Sequence, residues 1–112
     1  MEIKKWHVYL ADLNPRRGTE PGKTRPVIVV QTDLLNSTHP STIICPITTN
    51  VQPKAQFLRV HLAKGEGGLM EESDVMVDQL RAIDNRRFIK HLGLLSRRSQ
   101  EKLAENIRIV LN

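Results

Sequence analysis

The hydrophobic pattern changes period once along the chain, and that change separates a run of strands from one terminal helix. Residues 6–10 alternate, with Trp6, Val8 and Leu10 on one side and His7 and Tyr9 on the other, which is the period of a strand. Residues 26–31 form a β-branched run that reads as a buried strand. Residues 42–49 predict a third strand, in which Pro46 suggests an edge position or a bulge. Residues 57–62 alternate again, Leu58, Val60 and Leu62 opposed to Phe57, Arg59 and His61. Residues 73–83 predict one or two further strands, broken near Asp78. From residue 96 onward the period is helical. Leu103, Ile107 and Val110 share a face, supported by Ala104 and Leu111, and neither Pro nor Gly interrupts the segment. Ser96, placed after Leu94 and Leu95, is a natural N-cap for that helix.

The intervening segments are turns and loops. Residues 14–23 hold Pro15, Gly18, Pro21 and Gly22 among the basic residues Arg16, Arg17 and Lys23. They read as a long exposed loop, longer than a tight hairpin needs, and such length points to function. Residues 36–40 and 52–54 are further loop and turn segments. Gly65, Gly67 and Gly68 do not lead into a helix, as a nucleotide-binding loop would, and are better explained as a hairpin turn. Several short strands with one terminal helix imply a mainly β fold. The expected architecture is a small, strongly curved SH3-like barrel forming a single domain over residues 1–112.

Composition narrows the function. Of 112 residues, 39% are hydrophobic and 26% charged, a composition that can build a core. Lys and Arg number 17 against 12 Asp and Glu, giving a net charge of +5. The surplus suits an anionic partner, whether nucleic-acid phosphates or an acidic protein, and on charge alone a solvated basic surface is an equal reading. Cys45 is the single cysteine, so no intrachain disulfide can form. Its apolar surroundings in sequence make it a structural thiol rather than a nucleophile. The N-terminal residues lack the apolar run of a signal peptide, and the aliphatic run at Val27, Ile28, Val29 and Val30 is far too short to cross a bilayer. A cytoplasmic protein is expected.

His7, His39, His61 and His91 are scattered, and no spacing matches a zinc or calcium site. No metal and no cofactor is expected. The scarce aromatic residues weigh against a base-stacking platform. Arg25, between the flexible loop and the rigid strand, could hold a phosphate, although a strand-end arginine is more often a surface charge. Thr48 and Thr49 close an apolar strand. Threonines there are usually structural, but a hydroxyl could donate to a phosphate oxygen.

Taken together, several blocks resemble the MazF/PemK toxin family. They are Val8-Tyr9-Leu10-Ala11-Asp12-Leu13-Asn14-Pro15, Gly18-Thr19-Glu20, and the stretch from Gly22-Lys23-Thr24-Arg25-Pro26 to Gln31. Pro46-Ile47-Thr48-Thr49 and Asp78-Gln79-Leu80-Arg81-Ala82-Ile83-Asp84 complete the set. Their order and spacing extend the resemblance over essentially the whole chain. It implies a CcdB/PemK-type barrel, a homodimer, metal-independent and sequence-selective cleavage of single-stranded RNA, and neutralisation by an acidic antitoxin. It also implies that Arg25 and Thr48 are the catalytic pair. Glu20, Gln79 and Arg81 would line the RNA groove. Lys23, Thr49 and His61 are further candidate RNA contacts, Glu20 and His61 are alternatively candidate general bases, and the identity of the base stays open. Trp6-His7 departs from the family, in which many members carry Gly and then an acidic residue. Two other readings keep the same fold: a CcdB-like toxin that binds a protein target, and a non-catalytic SH3-like nucleic-acid-binding module. The chain ends Ile109-Val110-Leu111-Asn112 rather than in the Trp-Gly-Ile tail of the gyrase poisons, which favours the nuclease.

Overall fold

The computed structural model describes residues 1–112 except Arg16 and Pro21. Both belong to the loop predicted over residues 14–23, and that part of the expectation lies outside the described residues. The strands are β1 (His7–Asp12), β2 (Thr24–Val29), β3 (Ser41–Thr48), β4 (Arg59–Leu62), β5 (Ser73–Met76), β6 (Arg81–Asp84) and β7 (Phe88–Leu94), followed by helix α1 (Arg97–Leu111). They form an antiparallel sheet in the order β4-β5-β3-β2-β1-β7, with β6 also paired to β3.

The sheet curves like a barrel, but its ends, β4 and β7, do not pair. The helix packs against β4, and the short 3-10 turn Glu66–Gly68 packs against β7. That turn lies so close to β7 that a Cβ on Gly93 would fall 2.6 Å from the Gly67 carbonyl carbon. Only a residue without a side chain allows the approach.

Pro46 was expected at an edge or a bulge; instead it is buried in β3, the most heavily paired strand of the sheet. On one side it pairs with Val27 of β2. On the other, β6 pairs only through Ile44, and β5 begins only at Ile47. Pro46 occupies the gap between these two neighbours, where a missing N–H removes no ladder bond. The strand predicted over residues 57–62 begins only at Arg59, and Phe57 and Leu58 are exposed. Strand β7 has no clear sequence signal, because Lys90 and His91 interrupt its apolar positions and most of it is exposed or half-buried.

Alternation along the strands builds a core on each face of the sheet. Val8, Ile28, Cys45, Ile47, Val60, Leu62, Val75 and Leu95 pack on the face covered by α1, which contributes Leu103. Ile107 and Val110 pack against the same cluster, as the helical period predicts. Leu111 does not support that face and is 66% exposed. On the opposite face Tyr9, Ala11, Leu13, Val27, Val29, Ile44 and Ile83 form the second cluster. Burial pushes the Cys45 thiol up to about 12, in keeping with an inert structural cysteine.

The Trp6-His7 departure has a backbone consequence. Trp6 adopts φ 70°, the left-handed region that favours glycine. Its indole packs against the helix-side core, and Lys5 Nζ sits 4.8 Å from the ring centroid. These contacts offset the conformational cost that a glycine would avoid.

The start of α1 is fixed by side chains. Ser96 Oγ accepts from the Ser99 amide at 3.2 Å and donates to Glu66 Oε1 at 2.6 Å. The Ser96 amide donates to the same carboxylate oxygen at 3.1 Å. One residue thus caps the helix and ties it to the turn that closes the β4–β5 hairpin. Ser96→Ala is expected to lower the unfolding free energy by about 1–2 kcal/mol. Urea denaturation checks this; an unchanged midpoint and slope would show that the cap does not hold the helix in place.

Candidate active site

The chain that joins β1 to β2 is pinched at its base. The Leu13 amide donates to Lys23 O at 2.8 Å, and the Lys23 amide donates to Asn14 Oδ1 at 2.8 Å. Lys23 itself takes φ 64°, turning the chain sharply into β2. Arg87 holds the other side of this base by donating to the carbonyl oxygens of Asp12, at 3.0 Å, and Asn14. The loop therefore delivers Thr24 and Arg25 at a defined height on the sheet.

Strand β3 brings Thr48 to the same height. The β2–β3 register pairs Val27 with Pro46, Ile28 with Cys45 and Val29 with Ile44. Carried on in the same direction, it sets Arg25 opposite Thr48. Facing residues on paired strands project from the same side of a sheet, so both side chains meet a groove of about 380 Å³. Lys23, Arg25, Thr48, Thr49, Asn50 and Ser73 line it.

Each main side chain is partly constrained. Arg25 Nε donates to Gly22 O at 3.0 Å, which orients the half-buried guanidinium from behind. Thr48 Oγ1 accepts from the Asn50 amide at 3.1 Å. With that lone pair engaged, the hydroxyl proton can point toward a groove ligand. The groove therefore presents a planar cation and an oriented hydroxyl side by side. Such a pair can hold a tetrahedral anion and stabilise negative charge that grows on it.

The other expected contacts lie outside this lining. Glu20 is half-buried on the preceding loop. Gln79 ends the 3-10 turn Val77–Gln79, and Arg81 opens β6 opposite Ile44. Arg81 Nη1 is buried without a hydrogen-bond partner among the described residues. His61 lines a separate groove between β4 and α1, together with Arg59, Arg98 and Lys102. Its Nδ1 donates to Asp74 Oδ1 at 2.6 Å. Among the described residues, no group of three or more His, Cys, Asp and Glu side chains is arranged to hold a metal ion.

Sequence reasoning did not single out Asn50, Ser73 or Asp74. Asn50 continues the Thr48-Thr49 pair, and its proximity in sequence was the available signal. Ser73 and Asp74 stand as two polar residues at the head of an apolar strand, and both are buried. Such burial is uncommon for Asp and marks the position for attention.

Comparison with known proteins places the chain. Residues 4–111 match the family described as PemK-like, MazF-like toxin of type II toxin-antitoxin system. The chain is 32% identical to Endoribonuclease EndoA of Bacillus subtilis (strain 168) over 111 residues, covering 99% of this chain and 96% of that protein. It is 34% identical to Endoribonuclease MazF of Staphylococcus epidermidis over 94 residues, covering 84% of this chain and 78% of that protein. Among solved structures it is similar to MazF from Deinococcus radiodurans, with a TM-score of 0.84 and 21% identity over 99% of this chain and 97% of that one. It also shares its fold with a mycobacterial endoribonuclease solved in complex with its cognate antitoxin, at a TM-score of 0.77 and 15% identity over 98% of this chain and 93% of that one. The chain belongs to the PemK-like, MazF-like toxin family.

Proposed function

We propose that this protein is a toxin that cuts single-stranded RNA in the Arg25–Thr48 groove without a metal ion and that an antitoxin neutralises it. The observation that carries the reading is the convergence of Arg25 and Thr48 from neighbouring strands onto one open groove. It is supported by relatives named as endoribonucleases.

RNA supplies its own nucleophile. In-line attack of a 2′-OH on the adjacent phosphorus, with the hydroxyl proton passing to water, forms a 2′,3′-cyclic phosphate and releases the 5′-oxygen. The protein has to align the groups and stabilise the added charge on phosphorus. Arg25 holds the phosphate and donates a proton toward the leaving 5′-oxygen. Thr48 donates a hydrogen bond to a phosphate oxygen. Arginine is a poor base because its pKa exceeds about 12, so its part is electrostatic and acidic. Lys23 and Thr49 hold the neighbouring backbone from the groove walls. Glu20, Gln79 and Arg81 extend the RNA path beyond it, where the unpartnered Arg81 Nη1 would find an acceptor. The CcdB-like reading is less well supported, since relatives with close to full-length similarity are named as RNA-cutting enzymes. The protein acts in this reading as a cytoplasmic homodimer. No helix among the described residues is long and apolar enough to cross a membrane.

Arg25→Ala should lower RNA cleavage by at least about 100-fold, and Thr48→Ala by about 10- to 100-fold. Both variants should keep the wild-type circular dichroism spectrum, and wild-type cleavage should continue in EDTA. The check is gel analysis of a mixed-sequence messenger RNA incubated with each purified protein. Near-normal cutting by the Arg25 variant, or full loss of wild-type cutting on chelation, would contradict the mechanism.

The antitoxin is proposed to be an acidic segment that occupies the RNA groove. The net charge of +5 favours an anionic occupant. A flexible acidic chain can imitate the phosphate backbone and fold as it binds. A synthetic acidic antitoxin peptide should displace a 2′-O-methyl RNA oligonucleotide in fluorescence anisotropy. Simultaneous binding with no mutual loss of affinity would place inhibition at a remote surface.

A further inference from the structure

The Arg25–Thr48 pair is part of a longer row. Thr48 pairs with Asp74 across β3 and β5, and Asp74 pairs with His61 across β5 and β4. Arg25, Thr48, Asp74 and His61 therefore stand side by side on four neighbouring strands, projecting from one face. That face is opposite the helix-side core, which takes the alternate residues Ile47, Val60, Leu62 and Val75.

Asp74 is the buried member of the row, with its side chain 0% exposed. What covers it is the chain that follows Thr48. The Gln52 amide donates to Asp74 Oδ2 at 2.8 Å. Arg59 Nη1 donates to the same oxygen at 3.1 Å and to Asn50 O at 3.0 Å. His61 Nδ1 donates to Oδ1. The segment from Asn50 to Gln52 is thus folded back over the sheet and fastened to one carboxylate, directly and through Arg59. The Asn50 amide in turn orients the Thr48 hydroxyl. A path of hydrogen bonds runs from Asp74 through Arg59 and Asn50 to Oγ1 of Thr48, and the Gln52 amide ties the same segment to the carboxylate a second time.

We propose that Asp74 is a positioning residue for RNA cleavage: its buried carboxylate, with Arg59 and His61, fixes the segment Asn50–Gln52 and so holds the Thr48 hydroxyl in its working arrangement. The inference rests on the reading of Arg25 and Thr48 given above. It assigns His61 to the support of the groove, since the imidazole lies on the far side of Asp74 from Thr48. Removing one donor or the carboxylate charge frees the segment without deleting any group that touches RNA. Displacing a reacting group by an ångström can cost about 100-fold in rate. Binding, which is spread over many phosphate contacts, should be far less sensitive.

The test compares Asp74→Asn, Arg59→Met and His61→Gln, alone and combined with Thr48→Ala. Cleavage is measured in single turnover on a mixed-sequence messenger RNA. Affinity is measured with a 2′-O-methyl RNA spanning a cut site mapped with the wild-type protein. Asp74→Asn and Arg59→Met should each slow cleavage about 10- to 100-fold while affinity changes by less than about threefold. In the Thr48→Ala background neither should cause a further loss, because both act through Thr48. Losses that multiply with Thr48→Ala, weakened binding with an intact rate, or no effect at all would overturn the proposal. If Asp74→Asn fails to fold by circular dichroism, Arg59→Met decides the matter, since it removes one arm and leaves the carboxylate. If Thr48→Ala itself cuts like wild type, the active-site reading fails instead, whatever the Asp74 variant does.

Discussion

The strand register through β2, β3, β5 and β4 is the constraint on which the rest depends. Side chains on a strand alternate between faces, so a slip of one residue in any of these pairings would exchange Thr48 with Ile47, or Asp74 with Val75. The same register that fills the helix-side core with Ile47, Val60, Leu62 and Val75 sends Arg25, Thr48, Asp74 and His61 to the other face. Apolar burial and the placement of the polar row are one arrangement seen from two sides. Each fully buried aliphatic side chain stabilises by about 1.5–3 kcal/mol, so a slip that exposed several of them would cost far more than the few hydrogen bonds of the row.

That arrangement also explains how so small a domain tolerates a buried carboxylate. Taking Asp74 out of water is unfavourable unless donors replace the solvent. An amide, a guanidinium and an imidazole do so here. Two of those donors belong to side chains on β4, the edge strand, and the third belongs to the returning loop. The carboxylate thus joins an edge strand and a loop to the centre of the sheet, beside the groove. Ser96 and Glu66 play a comparable part at the opposite end of β4, where they join the helix to the hairpin turn.

Much of the fold was legible in the sequence, for a physical reason in each case. The period of α1 and its Ser96 cap are local signals, and local signals survive without knowledge of the partner. The break near Asp78 is also local and corresponds to the 3-10 turn between β5 and β6. Strand β7 escaped because its residues are mostly half-buried or exposed, so no clean alternation marks it. Pro46 was misplaced because the sequence cannot tell that β6 stops and β5 starts on either side of it. At the site, Arg25 and Thr48 were identified by resemblance, and composition alone left their roles open. Asp74 was missed because its partners come from β4 and from the loop after β3, contacts that only the register creates.

In the proposed mechanism RNA, rather than the protein or a metal ion, supplies the nucleophile to a phosphate held between Arg25 and Thr48. The most direct measurement uses an oligonucleotide spanning a mapped cut site, with a single 2′-deoxy nucleotide on the 5′ side of the scissile phosphate. The substrate keeps every phosphate and every base. It should bind like the all-ribose oligonucleotide and stay uncut at that bond, while the all-ribose control yields a 2′,3′-cyclic phosphate end. Cleavage of the singly deoxy substrate at a comparable rate would contradict the mechanism.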